Sequence, residues 1–147
     1  MSEGRKELER IAATMELMRA ELGMLEERLT LIGSALAEIT LAKRSLEELK
    51  KDQAAEVLLH IGASVRLPGT IKVIRPTVNV GRNIHVEMSA DKALEFLKGR
   101  EEELRRSEEE LRRRREEIVR QYEGLNARAG ELYAQMQGRG SGNVQIP

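Results

Sequence analysis

The sequence contains no cysteine, only three aromatic residues and only three prolines. Without cysteine the chain has neither a disulfide framework nor thiolate ligands for a metal ion. With so few aromatic rings in 147 residues, we do not expect a globular core built around large side chains. These absences favour a fold that is held together by aliphatic packing between secondary-structure elements.

An excess of one charge and a long apolar run are also missing. The 25 basic residues are balanced by 25 acidic residues, so no field of one sign attracts nucleic acid or an anionic membrane surface. No apolar stretch approaches the roughly 20 residues of a membrane span, and no signal-peptide pattern is present. We therefore expect a cytoplasmic protein that has neither a nucleic-acid partner nor a membrane partner.

Aliphatic side chains recur at alternating intervals of three and four residues from Leu8 to Ile39. This spacing is typical of a coiled-coil seam and predicts a helix over about residues 6–51. Such a helix would be roughly 70 Å long at 1.5 Å per residue, so it needs a partner along its length. Lys43 is the one polar residue in the seam, where a lone polar residue commonly specifies the register.

A second seam closes the chain, with an aliphatic residue at every seventh position from Leu97 to Leu132. It predicts a helix over about residues 90–137, followed by a flexible glycine-rich tail at 138–147. The economical arrangement of the two helices is an antiparallel pair in which the numbers of facing residues sum to about 140. The other column of this helix is charged in its middle, where Glu101 is expected to cover an aliphatic neighbour with its stem.

Residues 55–88, between the helices, show strand-like alternation interrupted by turn residues, which predicts two β-hairpins. Turns are expected at residues 61–64 and 80–83, and also at Pro68-Gly69 and Pro76. The segments on either side of the first two turns echo each other, with a glycine opening each turn and a β-branched residue following it. We interpret this echo as a structural repeat.

The alternation gives the hairpins one aliphatic face and one polar face. A few short strands with such a face do not close a barrel alone, and the flanking helices are expected to pack against each other rather than against the strands. We therefore expect other chains to cover this face in an obligate oligomer. The predicted oligomerisation residues are Val57, Leu59, Ile61, Val65, Leu67, Ile71, Val73, Val78, Val80, Ile84 and Val86.

The segments Val57–Ser64 and Val78–Val86 resemble the paired hairpins of the archaeal-type prefoldin alpha subunit. The order helix, two hairpins, helix is similar to that family over almost the whole chain, and a single hairpin would be typical of its beta subunits. The resemblance implies an α+β fold, in which a long antiparallel two-helix coiled coil carries a central module of two β-hairpins that oligomerises into a β-barrel platform. It also implies a hetero-hexamer of two alpha and four beta subunits. Such a hexamer is an ATP-independent co-chaperone that holds unfolded polypeptides between its coiled coils and passes them to a group II chaperonin.

A chaperone of this kind needs adaptable apolar side chains on mobile elements. Methionines and helix-weakening glycines gather at the end of the coiled coil that carries both termini, which we call the open end. Fraying there would expose the predicted client-binding residues Leu8, Ile11, Met15, Met18, Tyr122, Leu125, Leu132, Tyr133 and Met136. The alternative is that they are ordinary seam residues of a closed coil.

Two other functions fit the same pattern. The chain could polymerise with itself into prefoldin-like filaments through the β faces, or it could be a scaffold whose arms bind one specific folded partner. His60 and His85 occupy matching places in the two hairpins, but two histidines without a supporting thiolate or carboxylate do not make a zinc site. No cofactor, metal or catalytic constellation is expected, so the chain is not predicted to be an enzyme.

Overall fold

The computed structural model describes residues 2–51, 54–72 and 74–141. Two long helices flank two β-hairpins, which confirms the predicted combination of a helical pair with a β module. Val73 and residues 142–147, the latter part of the predicted tail, lie outside the described residues. The elements in chain order are α1 (Ser2–Lys50), β1 (Ala55–Gly62), β2 (Val65–Ile71), β3 (Thr77–Asn79), β4 (His85–Glu87) and α2 (Ala90–Ser141).

Helix α2 has the predicted start but a later end. The Ser89 hydroxyl accepts a hydrogen bond from the Lys92 backbone N–H at 3.2 Å, which is the geometry of an N-cap. The helix then continues through Gly138 to Ser141 instead of ending near Gln137, so the first residues of the predicted tail are helical. A glycine weakens a helix by only about 1 kcal/mol relative to alanine, and no proline interrupts this stretch.

The chain divides into two compact units, each of which contains part of both long helices. The first, which we call the terminal unit, consists of the described residues up to Leu31 and from Ser107 onward. Its two helix segments are antiparallel, because Glu7 pairs with Arg128 at 3.0 Å and Glu26 pairs with Arg115 at 2.9 Å. Its core side chains are aliphatic and less than a tenth exposed: Ile11, Leu25, Ile118 and Leu132.

The second unit, which we call the central unit, runs from Ile32 to Arg106 and contains both hairpins. Its helix segments are also antiparallel, since Lys50 forms an ion pair with Asp91 near their junction with the hairpins and Lys43 forms one with Glu101 farther from it. Its core is thin and made of small and aliphatic side chains, namely Leu36, Ile39, Ala90 and Ala93.

Burial along the helices follows the predicted seams. Every seam position of α1 from Leu8 to Leu46 is buried or half-buried, and so is every position of the two α2 columns from Leu94 to Met136. Within each unit the ion pairs join residues whose numbers sum to between about 135 and 144, close to the expected facing. The three-four spacing therefore identified the packed face of both helices.

The two hairpins turn in the same way, which confirms the predicted repeat. Gly62 and Gly81 both have a φ of 121°. Each is followed by two residues with positive φ, Ala63 and Ser64 in the first hairpin and Arg82 and Asn83 in the second. Positive φ at both central residues is the mark of a tight turn whose twist matches that of the flanking strands.

The pair Pro68-Gly69 lies inside β2, and the prediction of a turn there was wrong. The strand continues because Pro68 pairs with Leu58 and Gly69 pairs with Val57 across the hairpin. A Cβ at Gly69 would lie 3.2 Å from Cδ1 of Leu59, so the glycine makes room for that leucine rather than reversing the chain. Proline is tolerated because a two-stranded sheet consists only of edge strands.

The strand register confirms the alternation of aliphatic and polar positions. Leu59 lies opposite Leu67 in the first hairpin. Val78 lies opposite Val86 in the second. Polar pairs lie next to these, for example His60 opposite Arg66, although the pair on the other side of Leu59 is Leu58 opposite Pro68. Because cross-strand partners point to the same side, each hairpin has an aliphatic side. The opposite side is polar in the second hairpin and mixed in the first, where it also carries Leu58 and Pro68.

The turn geometry predicts opposite effects for two glycine substitutions. Gly81→Ala should lower the free energy of unfolding by about 1–3 kcal/mol, because its φ of 121° is unfavourable for a residue with a Cβ. Gly99→Ala in helix α2 is the matched control: nothing lies within 4 Å of the added Cβ, and stability should rise by up to about 1 kcal/mol. Urea unfolding followed by circular dichroism measures both, and an equal response of the two variants would contradict the turn assignment.

Candidate assembly and client-binding surfaces

The first hairpin exposes aliphatic side chains over most of its length. In the described part of the chain, no third strand pairs with β1 or β2. Leu58, on the opposite side from Leu59, is exposed as well, so both sides of this hairpin are partly apolar. The exposed fractions are 66% for Leu58, 54% for Leu59, 60% for Ile61, 50% for Val65 and 50% for Leu67.

The second hairpin repeats this exposure on a smaller scale. Val80, Ile84 and Val86 are all more than a third exposed. The other described members of the predicted oligomerisation set, Val57, Ile71 and Val78, are half-buried. Most of the described members of the predicted set are therefore exposed to solvent within this chain.

The predicted client-binding residues all belong to the terminal unit, and all except Tyr133 are part of its closed seam. Ile11 and Leu132 are buried, whereas Tyr133 is exposed on the surface of α2. The remaining ones are half-buried: Leu8, Met15, Met18, Tyr122, Leu125 and Met136. Only Tyr133 is thus freely available in this state, and the others become available only when the helices separate.

Contacts between α1 and α2 lie beside this seam in the terminal unit. The Arg19 guanidinium donates a hydrogen bond from Nε to the Tyr122 hydroxyl at 2.8 Å, and it also lies over the ring at 5.5 Å from the centroid. Near the chain ends, a Cβ at Gly4 would lie 3.9 Å from the Met136 sulfur. These groups are near the surface, so salt screens the charged contacts and each stabilises the closed state only weakly.

In the central unit, the one polar residue of the α1 seam has a partner. The Lys43 ammonium donates a hydrogen bond to the Glu101 carboxylate at 3.3 Å, and both side chains are less than a third exposed. This hydrogen bond lowers the pKa of Glu101 against the opposing effect of burial, and the nearby Arg105 lowers it further. We expected the carboxylate of Glu101 to stay in water while its stem covers an aliphatic neighbour, whereas the carboxylate reaches Lys43.

The lowered pKa predicts a loss of stability in acid. A carboxyl group whose pKa is lower in the folded state stabilises the fold above its ordinary range, and this contribution disappears as the pH falls through the folded pKa. Glu101→Gln should therefore melt at a lower temperature than the wild type at pH 7, and the difference should shrink toward pH 3. Glu102→Gln, an exposed neighbour with no ion pair among the described residues, is the control and should leave the melting temperature nearly unchanged. A constant difference across this pH range would contradict the role of the ion pair.

A second apolar surface on α1 escaped the sequence analysis. Leu17, Met24 and Leu31 are spaced by seven residues and are 74%, 57% and 71% exposed. Ala13 and Ala20, also exposed, lie at the intervening positions of the same face. Together these five residues form what we call the α1 outer stripe. The seven-residue spacing is visible in the sequence. It was not recognised because the seam from Leu8 to Ile39 was sufficient to predict the helix.

The histidines of the hairpins are not part of a metal-binding cluster among the described residues. His60 faces Arg66 across its hairpin, and His85 Nε2 lies 3.2 Å from the Asn83 side-chain oxygen. Among the residues that the structure describes, no group of three or more histidine, aspartate or glutamate side chains is placed to hold a metal ion. Within the same residues, no helix combines the length and the hydropathy needed to cross a bilayer.

The sequence matches of the chain identify the class of protein to which this fold belongs. The family model described as "Prefoldin subunit" matches residues 18–135, which include both hairpins and most of both helices. The chain belongs to the prefoldin family. Prefoldin is a family of chaperones whose subunits assemble into oligomers with one another, and it is not known as a family of enzymes.

The curated relatives are alpha subunits, which confirms the resemblance to this branch of the family. The chain is 36% identical over 103 residues to "Prefoldin subunit alpha" of Pyrococcus horikoshii, covering 68% of this chain and 70% of that protein. It is 36% identical over 103 residues to the protein of the same name from Thermococcus onnurineus, again covering 68% and 70%. It is 33% identical over 102 residues to "Prefoldin subunit alpha 1" of Thermococcus kodakarensis, with the same coverage of the two chains.

A solved structure is also similar to this chain. The cryo-EM structure of filamentous PFD from Methanocaldococcus jannaschii is 23% identical, with a TM-score of 0.49, and the match covers 84% of this chain and 98% of that one. The family assignment rests on the sequence matches and not on this likeness.

Proposed function

We propose that this chain is an alpha-type subunit of a cytoplasmic hetero-hexamer that contains two alpha and four beta-type prefoldin subunits. In this assembly the aliphatic faces of the hairpins form a shared β-barrel platform. The helical arms hold unfolded polypeptides without ATP and deliver them to a group II chaperonin. The helical pair from each chain supplies the client-binding surface, and the hairpins supply assembly.

The observation that carries this proposal is the uncovered aliphatic surface of the hairpins. Four large apolar side chains of the predicted face in the first hairpin are each at least half exposed, namely Leu59, Ile61, Val65 and Leu67. Burial of one leucine, isoleucine or valine side chain contributes about 1.5–3 kcal/mol, so their joint exposure in a single chain leaves a large stabilisation unused. A contiguous apolar surface of this kind marks a protein interface.

The general chaperone activity is tested by mixing the purified chain with a beta-type subunit and following light scattering of several unrelated denatured proteins. The proposal predicts that the complex suppresses aggregation of all of them in the absence of ATP. Suppression of one protein alone would favour the scaffold function, and an open-ended polymer of this chain would favour the filament function. Loss of suppression in every case, with assembly intact, would contradict the holding role.

If clients bind where the helices separate at the open end, a disulfide that joins the two helices there should block client binding reversibly. Gly4→Cys with Met136→Cys places one thiol on each helix of the terminal unit, at a point where the Met136 side chain approaches Gly4: a Cβ there would lie 3.9 Å from the Met136 sulfur. Because the chain has no other cysteine, oxidation can form only this bond within it. The oxidised complex should lose most of its suppression of aggregation, and reduction should restore it.

The control places the same lock away from the open end. Leu36→Cys with Leu104→Cys joins two seam positions of the central unit that are buried and half-buried. Oxidation of this variant should leave suppression unchanged. If both locks are harmless, the helices do not need to separate at the open end, and the proposed client-binding set is wrong.

A further inference from the structure

The α1 outer stripe is apolar where a coiled-coil arm is ordinarily charged. Its members lie on α1 away from the seam positions that α2 covers, and all of them are exposed. Helix α2 offers no counterpart of this length, because Val119 and Tyr133 are its only large apolar side chains with comparable exposure among the described residues. Helix α1 therefore has two apolar faces within the terminal unit, and α2 occupies only one of them.

The size of the stripe favours a transient occupant. Three side chains with these exposures present together roughly 400 Å² of apolar surface. Packing against a second copy would bury about twice that area, which is below the roughly 1,200 Å² of a stable interface. A permanent dimer through this face is therefore disfavoured, whereas a weakly bound and exchanging partner fits the available area.

The spacing of the stripe favours a helical occupant. Leu17, Met24 and Leu31 repeat every seven residues, which corresponds to about 10.5 Å along the helix axis. A second helix with an apolar residue at every seventh position has the same repeat. An extended strand presents a side chain on one face every 6.7 Å or so, so it has no side chain in step with the middle member of the stripe.

A charged residue beside the α1 outer stripe adds a requirement for the occupant. Glu27 is exposed between Met24 and Leu31, and in the part of the chain that the structure describes it forms no ion pair. Glu21 and Glu26 beside it are instead held by arginines of α2. Glu27 is therefore available to pair with a basic side chain of whatever lies along the stripe.

We propose that the α1 outer stripe binds amphipathic helical segments of non-native polypeptides that repeat apolar residues every seven positions and carry a lysine or arginine opposite Glu27. This inference rests on the proposed holding function and adds a client surface to it. Unlike the open end, this surface is available while the seam is closed. It would capture segments that have already formed helices, for which the apolar face is the exposed part.

The test uses the full chain assembled with a beta-type subunit and a fluorescently labelled synthetic peptide. The peptide is an alanine-rich helix with leucine at every seventh position and lysine midway between two leucines. A scrambled peptide of the same composition is the reference. Fluorescence anisotropy should show binding of the periodic peptide, and Leu17→Gln with Met24→Gln and Leu31→Gln should weaken it at least about tenfold.

A matched control removes an exposed leucine from elsewhere on α1. Leu41, which lies in the central unit and is 66% exposed, is replaced by glutamine. Peptide affinity should be unchanged in Leu41→Gln. All of these substitutions are at exposed positions and introduce a residue with good helix propensity, so the helical circular dichroism signal should be retained.

The Glu27 requirement has its own comparison. Glu27→Gln should weaken binding of the lysine peptide by about twofold to fivefold, the range of an exposed ion pair. It should leave a peptide with glutamine at that position unaffected. Equal losses for the two peptides would overturn the assigned pairing.

The remaining outcomes separate this inference from the holding function. Wild-type affinity of the triple variant, with normal suppression of aggregation by the wild type, overturns the stripe and leaves the proposed function standing. A lower native mass of the triple variant overturns it too, because the occupant is then a second copy or a beta-type subunit. If the wild-type complex suppresses no aggregation while it still binds the periodic peptide, the proposed function fails and the stripe remains a helix-binding surface.

Discussion

Replacing Leu59 and Leu67 by lysine is expected to abolish assembly with beta-type subunits. The two leucines face each other across the first hairpin and are each at least half exposed in the single chain. If neighbouring subunits cover them, the double variant loses two buried aliphatic side chains and places two ammonium groups in an apolar interface. Sedimentation velocity should show the dissociation constant rising at least about a hundredfold.

The matched control adds the same two charges on the polar side of the hairpins. Thr70→Lys places a lysine opposite Glu56. Thr77→Lys places one opposite Glu87. Both positions are exposed, and each new lysine gains an acidic neighbour across the strand. This variant should assemble like the wild type, and equal disruption by both pairs would mean that added charge, rather than loss of the aliphatic face, prevents assembly.

Replacing Ile118 by alanine is expected to have the largest effect on stability of any single truncation in the helical pair. Ile118 is 1% exposed and is the largest fully buried side chain of the described chain. Its truncation leaves a cavity in the thin core of the terminal unit and should lower the free energy of unfolding by about 2–5 kcal/mol. Urea unfolding of the variant and the wild type at the same chain concentration measures the difference.

Val119 provides the control at the adjacent position. It is 38% exposed and points away from the seam, so Val119→Ala removes little packing. Alanine also has the higher helix propensity, and the change in free energy of unfolding should stay within about 0.5 kcal/mol. Similar losses for the two truncations would show that the seam does not hold its core at Ile118.

The helices and the hairpin repeat were predictable because each depends on local patterns. A three-four spacing places side chains on one helix face whatever the partner is, and burial along α1 and α2 follows it closely. The turns were predictable for a similar reason, since Gly62 and Gly81 occupy a backbone conformation that favours glycine. The family resemblance also depended on these two turns and the helices around them.

The wrong predictions concern residues that occur both in turns or helix ends and inside strands or helices. Pro68-Gly69 is a common turn pair, but here a two-stranded sheet tolerates the proline and Leu59 fills the space above the glycine. That contact joins residues ten positions apart and has no local signal. Gly138 likewise suggested a helix end, whereas the backbone stays helical to Ser141.

The client-binding surfaces were harder to predict because the same sequence pattern fits a seam that stays closed and a seam that opens to bind clients. Ile11 and Leu132 satisfy the pattern of a closed coil, and the structure places them in one. Whether they also meet clients depends on the free energy of separating the helices, which no residue pattern reports. The α1 outer stripe was missed for a different reason: its leucines are recognised as unpartnered only once the position of α2 is known.

Native mass spectrometry of this chain, alone and mixed with a beta-type subunit, tests the central claim most directly. The account predicts a discrete particle of six chains with two copies of this one, because the aliphatic faces of its hairpins need other subunits to cover them. A single chain that stays monomeric in the mixture, folded and stable at high dilution, would contradict the account.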